Sequence, residues 1–176
     1  MRKVTFGGAI SLDNFIASKD DTFDWILWSK ETGEIMRDYF KTIDTMVMGR
    51  RTYEVAVRNG PLPVHKGVKT YVFSRTLKKR GKKGLTFVSE DVVDFVRRLK
   101  EEDGKDICIM GGGILAKPLF EAGLIDEIGF NIHPLLLGSG IPLFYEMKQP
   151  IDLELVNCRQ LSNGCVMVTY RTKHPR

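Results

Sequence analysis

A chain of 176 residues, 43% hydrophobic and 28% charged, has the composition of an ordinary globular domain and is long enough to bury well over half of the surface its unfolded form exposes. Its three cysteines, Cys108, Cys158 and Cys165, form no C-x-x-C and cannot all pair, which argues against a disulfide framework or a zinc site. The start lacks a signal-peptide core and no apolar stretch nears the roughly 18 residues of a membrane span, so the expectation is one domain over residues 1–176, cytoplasmic, with no metal and no membrane partner.

Lys3 to Ile10 reads as a first strand, followed by a polar loop holding Asp13, Asp20, Asp21 and Asp24. Glu31 to Phe40 places Ile35, Met36, Tyr39 and Phe40 at the three-and-four spacing of a helix with one buried face. Strand Thr45 to Met48 follows, then a short helix over Arg51 to Val57, ended by the breaker Gly60-Pro61-Leu62-Pro63. Lys69 to Phe73 and Leu85 to Val88 read as further strands. Between them Arg75, Lys78, Lys79, Arg80, Lys82 and Lys83 carry no intervening acid.

Such a run is a solvated loop, a phosphate-binding rim or a polyanion patch. With neither zinc-finger spacing nor an RNA-binding aromatic signature, no nucleic-acid partner is expected. Ser89, Asp91 and Asp94 begin a helix to about Glu102, strand Ile107 to Met110 leads to helix Ile114 to Ala122, and Glu127 to Leu135 is another strand. Gly138 to Pro142 reads as a loop. Leu153 to Leu161 and Cys165 to Lys173 alternate around Asn163-Gly164, the signal for a hairpin with a type I′ turn.

Strands with interposed helices imply a mostly parallel sheet covered on both faces, closed by an antiparallel C-terminal pair. Two strand-to-helix junctions, Thr45 to Thr52 through Gly49 and Asp106 to Leu115 through Gly111-Gly112-Gly113, carry most of the functional information. A helix that starts just past a strand end leaves N–H groups and about half a positive charge facing outward, where anions bind. Two such turns can grip both halves of a dinucleotide diphosphate. Arg50 can project onto a phosphate or be a surface arginine, and Thr52 can donate to a phosphate or cap its helix. The glycines permit close backbone approach to a ligand or form a tight structural turn.

Gly111-x-Gly113-x-x-Ala116 also fits a Rossmann fingerprint, but no acid closes a following strand at the required distance, since Asp126 comes too early. Hydrolase, protease and NTPase signatures are missing. His133, beside Pro134, reads as structural, while His65 and His174 read as surface residues. Exposed apolar C-terminal strands and the run Leu135 to Leu137 point to a homodimer or to a buried core strand.

The ordered set Ala9-Ile-Ser-Leu-Asp13-Asn-Phe-Ile16, Met48-Gly49-Arg50-Arg-Thr52-Tyr53, Val72-Phe-Ser74-Arg75, Met110-Gly111-Gly112-Gly113-Ile114-Leu115 and His133-Pro134 through Gly138-Ser-Gly140-Ile-Pro142-Leu-Phe144 resembles the dihydrofolate reductase superfamily, and within it the reductase domain of bacterial riboflavin biosynthesis. The resemblance implies a three-layer α/β/α sandwich with a mixed, mostly parallel central sheet that binds NADPH and passes hydride to a small heterocyclic or carbonyl substrate. By position it makes Ala9 and Ile16 walls of the nicotinamide pocket and Gly49, Arg50 and Thr52 the first phosphate grip. It assigns Ser74 and Arg75 to the adenosine side, and Gly111, Gly112, Gly113, Ile114 and Leu115 to the second phosphate loop.

Folate-reducing relatives use a carboxylate on the helix after the first loop. Glu34 and Asp38 lie near that helix, but neither matches the motif. Asp13 is the catalytic candidate, and Asp24 with Trp25 are the substrate-contact candidates, against the alternative that loop aspartates form turns and Trp25 is core. Reduction of a phosphoribosylamino-uracil in flavin biosynthesis, dihydrofolate reduction and a non-catalytic nucleotide-binding module remain as alternatives.

Overall fold

The computed structural model describes residues 1–60, 65–77 and 83–173; the end of the Gly60–Pro63 breaker, most of the basic run (Lys78, Lys79, Arg80 and Lys82) and His174 lie outside them. In chain order the elements are β1 (Val4–Ser11), β2 (Phe15–Ala17), α1 (Lys30–Thr42), β3 (Ile43–Gly49), α2 (Arg50–Asn59), β4 (Lys69–Phe73), β5 (Leu85–Val88), α3 (Val92–Glu101), β6 (Asp106–Met110), α4 (Gly113–Glu121), β7 (Glu127–His133), β8 (Ile141–Pro142), β9 (Leu153–Gln160) and β10 (Val166–Thr172). Eight strands form one sheet in the order β5-β4-β3-β6-β1-β7-β10-β9. β5 through β7 are mutually parallel, and β10 is antiparallel to both β7 and β9. The mixed sheet and antiparallel ending follow from the sequence pattern. A Rossmann order is ruled out, because the first strand sits between β6 and β7.

Side chains alternate across each strand, so each central strand feeds two separate cores. One face joins Phe6, Ile107, Ile109 and Phe130 to Val96 and Leu99 of α3 and Leu119 and Phe120 of α4. The other joins Met46, Met48 and Val72 to Tyr53 of α2, with Tyr39 and Phe40 of α1 packed against them. Helices on both faces give three layers.

The helix starts have local causes. The Ser29 hydroxyl accepts from the Thr32 N–H at the start of α1, and Asp91 accepts from the N–H groups of Val93 and Asp94 at the start of α3.

Two expectations are corrected. The type I′ turn at Asn163-Gly164 is instead a three-residue loop: Gly164 N–H donates to Leu161 O (3.1 Å), only Gly164 of the pair has positive φ (86°), and Leu161 N–H donates to Cys165 O (2.9 Å). The stretches read as loops before the first helix and after His133 contribute a second, two-stranded sheet of β2 and β8. There Gly140 is obligatory, since a Cβ would lie 2.3 Å from Ala17 O.

Candidate active site

The two faces of the central strands are filled very differently. Toward α3 and α4, β1 presents Val4, Phe6 and Ile10, all buried. Toward α1 it presents Thr5, Gly7 and Ala9, and its neighbour β7 presents Gly129 and Asn131. Small side chains under α1 leave a hollow between sheet and helix. A cavity of about 1290 Å³ fills it, running from Asn157, Met167 and Thr169 on the C-terminal strands to Ser74 and Arg75 beyond β4. That exceeds the roughly 300–1,000 Å³ of a drug-sized pocket and suits a dinucleotide with a second small molecule.

Both glycine junctions open on this cavity, side by side, because β3 pairs with β6 and Met48 is in register with Met110. Gly49 caps α2 and Gly112 caps α4 in nearly the same conformation (φ −81°, ψ 164° and φ −85°, ψ 163°), and neither helix start has a side-chain cap. Their first N–H groups are thus left for an external acceptor such as a phosphate oxygen. At Gly49 a Cβ would meet nothing within 4 Å.

The other two glycines are demanded by the protein itself. Gly111 has φ +110°, and a Cβ there would lie 2.1 Å from Thr52 Oγ1. Thr52 therefore does not cap α2 but seats its side chain in the space Gly111 leaves, locking the two junctions together. A Cβ on Gly113 would lie 2.0 Å from Leu143 O.

Ala9, Ile16, Gly49, Arg50, Thr52, Ser74, Arg75, Gly111, Gly112, Ile114 and Leu115 all line the cavity; Gly113, turned to Leu143, does not. Arg50 lies exposed at its edge, where Nη1 donates to Thr76 Oγ1 (2.9 Å) and Nε is 3.5 Å from Glu54. The Ser74 hydroxyl accepts from the N–H groups of Thr76 (3.2 Å) and Leu77 (2.9 Å), shaping the turn that presents Arg75.

The acidic and aromatic candidates of the first loop lie elsewhere. Asp13 is off the cavity wall: its carboxylate accepts from Ser11 Oγ (2.6 Å), Leu137 N–H (3.1 Å) and Gly138 N–H (2.8 Å). The Ser11 hydroxyl, with those two backbone donors, holds the carboxyl below the usual range. Asp13 thus fastens the β1–β2 loop to the segment after β7, a turn-forming use. Asp24 is exposed beside a smaller pocket with Phe23 and Trp28. Trp25 packs edge-on against His133 (5.4 Å between ring centres). From the same loop it is Asp21, Phe23, Ile26 and Trp28 that reach the main cavity.

A family model for the RibD C-terminal domain matches residues 2–167. The chain belongs to that family. The uncharacterized protein YyaP of Bacillus subtilis (strain 168) is 33% identical over 180 residues, covering 96% of this chain and 94% of the relative. A crystal structure of a Shewanella sp. PV-4 protein assigned to riboflavin biosynthesis superposes with a TM-score of 0.84 at 24% identity, covering 99% of this chain and all of the other. Dihydrofolate reductase from Enterococcus faecalis, complexed with NADP(H) and RAB-propyl, superposes with a TM-score of 0.71 at 19% identity over 98% of this chain and 97% of that one. The fold is dihydrofolate reductase-like, and membership of the RibD C-terminal family supports a reductase role.

Within this RibD C-terminal domain, the α1 residues on the cavity are Thr32, Ile35, Met36, Tyr39 and Phe40. Glu34 and Asp38 point outward, Glu34 lying 4.0 Å from Lys30 and Asp38 pairing with Lys41 at 2.6 Å. Thr32 lies one helical turn before Ile35 and Met36 on the same face, where a polar residue carries no sequence signal of its own. Tyr39 Oη shares a hydrogen bond with Thr5 Oγ1 (2.6 Å). Burial drives the Tyr39 phenol far up and the Cys108 thiol up to about 11, so both stay protonated at neutral pH. Asn131 carries no such signal either, because a lone asparagine inside an apolar strand has no motif.

Proposed function

We propose that this protein is an NADPH-dependent reductase that transfers hydride to a small heterocyclic or carbonyl compound. One observation carries the reading: two uncapped helix starts, on neighbouring strands, open on a single cavity that continues past Ala9 and Ile16 into a second chamber under α1. The diphosphate lies against the N–H groups that follow Gly49 and Gly112, with Arg50 as a charged partner at the edge. Ser74 and Arg75 lie at the adenosine end, and Ala9 and Ile16 wall the nicotinamide. When bound, the cofactor supplies the hydride. The chain's own part is to hold the two reactants in line and to keep water out with Ile16, Phe23, Ile26 and Trp28.

Dihydrofolate reduction is disfavoured, because Glu34 and Asp38 face away from the cavity and α1 offers it no carboxylate. The riboflavin step on a phosphoribosylamino-uracil is a specific form of the same reading. That missing acid also favours one competitor, a nucleotide sensor without catalysis, which binds cofactor with no turnover.

Calorimetric titration with NADPH and NADH, followed by stopped-flow oxidation of bound NADPH against a panel of carbonyl and heterocyclic acceptors, tests the proposal. Preference for NADPH is expected, since its 2′-phosphate adds about two negative charges, with Arg75→Ala reducing that preference. If the protein takes up neither nucleotide, the reading is wrong; uptake with no oxidation by any acceptor favours the sensor.

A further inference from the structure

The buried end of β7 holds a hydrogen-bonded relay that stops at the cavity wall. Leu27 N–H donates to His133 Nδ1 (3.2 Å), which the Cys165 thiol also approaches (Sγ at 3.3 Å), and the other ring nitrogen, Nε2, lies 3.2 Å from Asn131 Nδ2. His133 is fully buried and Asn131 is 6% exposed. Because Nδ1 accepts from a backbone N–H, a neutral imidazole carries its proton on Nε2. Burial, which lowers the His133 pKa, favours the neutral form.

A protonated Nε2 requires the amide oxygen of Asn131 opposite it, and oxygen and nitrogen exchange by a half-turn about Cβ–Cγ. After that half-turn the amide NH2 stands where Oδ1 otherwise lies, a buried position with no hydrogen-bond partner among the described residues. A buried unpaired donor is costly in the empty protein and becomes favourable when a ligand brings an acceptor.

The position says which ligand. Asn131 is in register with Ala9 of β1 and Met167 of β10, on the side of β1 away from the two glycine junctions. It thus faces the chamber beyond the nicotinamide wall, where Thr32, Ile35 and Met36 of α1 stand across from the glycine floor of Gly7 and Gly129. On the same face of β7 the neighbours of Asn131 are Gly129 and His133, and the carboxylate of that strand, Glu127, is four residues away and 3.7 Å from Lys3, while Asp21 on the cavity wall is paired with Arg51. A cationic heterocycle finds no carboxylate next to Asn131 on its strand; a carbonyl oxygen finds a donor.

We propose that Asn131 is a substrate-binding and specificity-determining residue whose amide N–H holds a carbonyl oxygen of a neutral heterocyclic acceptor, with His133 as the residue that positions it. This rests on the reductase reading for the identity of the acceptor, but the hydrogen-bond chemistry can be tested separately.

The test uses the full chain saturated with NADP+, probed with 5,6-diaminouracil, which offers carbonyls, and with 2,4-diaminopyrimidine, which offers donors and takes up a proton. In the wild type the uracil binds more tightly and shifts the Asn131 side-chain amide signals in a 1H–15N spectrum, and nitrogen NMR finds the Nε2–H tautomer of His133. Asn131→Asp, which replaces the free donor by an acceptor, weakens uracil binding by on the order of tenfold, strengthens binding of the diaminopyrimidine and leaves NADP+ affinity unchanged. A folded Asn131→Asp protein with unaltered preference overturns the proposal. So does an Nδ1–H tautomer, a wild type that binds no uracil probe, or a bound probe that leaves the Asn131 amide unmoved; the last three need no variant. If NADP+ fails to bind while the uracil still moves the Asn131 signals, the reductase reading falls and the Asn131 assignment stands.

Discussion

Single residues in this protein separate into those the fold requires and those the cavity leaves open, and the glycines make the division measurable. Gly111→Ala forces a Cβ against Thr52 and puts alanine at φ +110°, so a loss of about 3 kcal/mol is expected, seen as a melting point lower by about 6–12 °C. Gly49→Ala meets open space at φ −81° and should change the melting point by no more than a few degrees, while weakening NADPH binding about tenfold through crowding of the phosphate site. Equal melting points for the two variants would remove the structural account of Gly111.

The buried imidazole of His133 gives a pH signature. Burial lowers its folded-state pKa below 6.5, so between that value and the lower folded one the unfolded chain binds a proton that the folded chain does not. Stability therefore falls as pH drops through 6.5 and levels off below the folded value. Burial moves His65, stacked on Phe40, in the same direction, so the urea midpoint is best compared at pH 7.5 and 5.5 in a His65→Gln background. An unchanged midpoint there would mean that His133 titrates normally.

At the scale of elements, the start of α1 is a lever between fold and site. Ser29→Ala removes the acceptor for Thr32 N–H and should cost about 1 kcal/mol, read as a lower urea midpoint at constant slope. NADPH affinity should hold, because α1 faces the second chamber and the glycine junctions lie on β3 and β6.

Most of the elements were legible in the sequence: β4 and β5 match to the residue, and α1, α3 and α4 match within about one residue at most ends, since hydrophobic periodicity and capping signals are local. The short β2–β8 sheet was not legible, because its few residues pair across more than 120 positions and carry no periodic pattern of their own. At Gly164 the sequence shows the position of the turn and not its type: Asn163-Gly164 signals a hairpin, whereas loop length depends on which residues the strands pair, Val166 with Gln160. At the site, the junction glycines could be read from the sequence, and their separate duties could not. That Thr52 fills the space at Gly111, and that Asp13 ties down a loop instead of reaching the cavity, follows only from contacts between distant segments.

For the molecule as a whole, the unfinished feature is the edge of the sheet. All eight residues of β9 are exposed, including Leu153 (41%), Leu155 (55%) and Val156 (47%), so the alternation expected of a half-buried strand has no covered face here. A long edge strand with apolar side chains templates further pairing unless something covers it. A second copy is the occupant best suited to it, because a two-fold axis beside β9 pairs the strand antiparallel with itself and buries the same leucines from both sides. The expected state is a homodimer.

A homodimer paired through β9 would bear on the site, since Asn157 of β9 lines the cavity and a partner at that edge would stand next to the second chamber. Light scattering at micromolar concentration should return about twice the 20.0 kDa chain mass, and Leu155→Glu should return the single-chain mass. Because the glycine junctions are four to five strands from this edge, the monomeric variant should keep its NADPH affinity while losing activity toward the acceptor. A wild-type protein that scatters as a monomer at all concentrations would leave β9 uncovered and the second chamber complete within one chain.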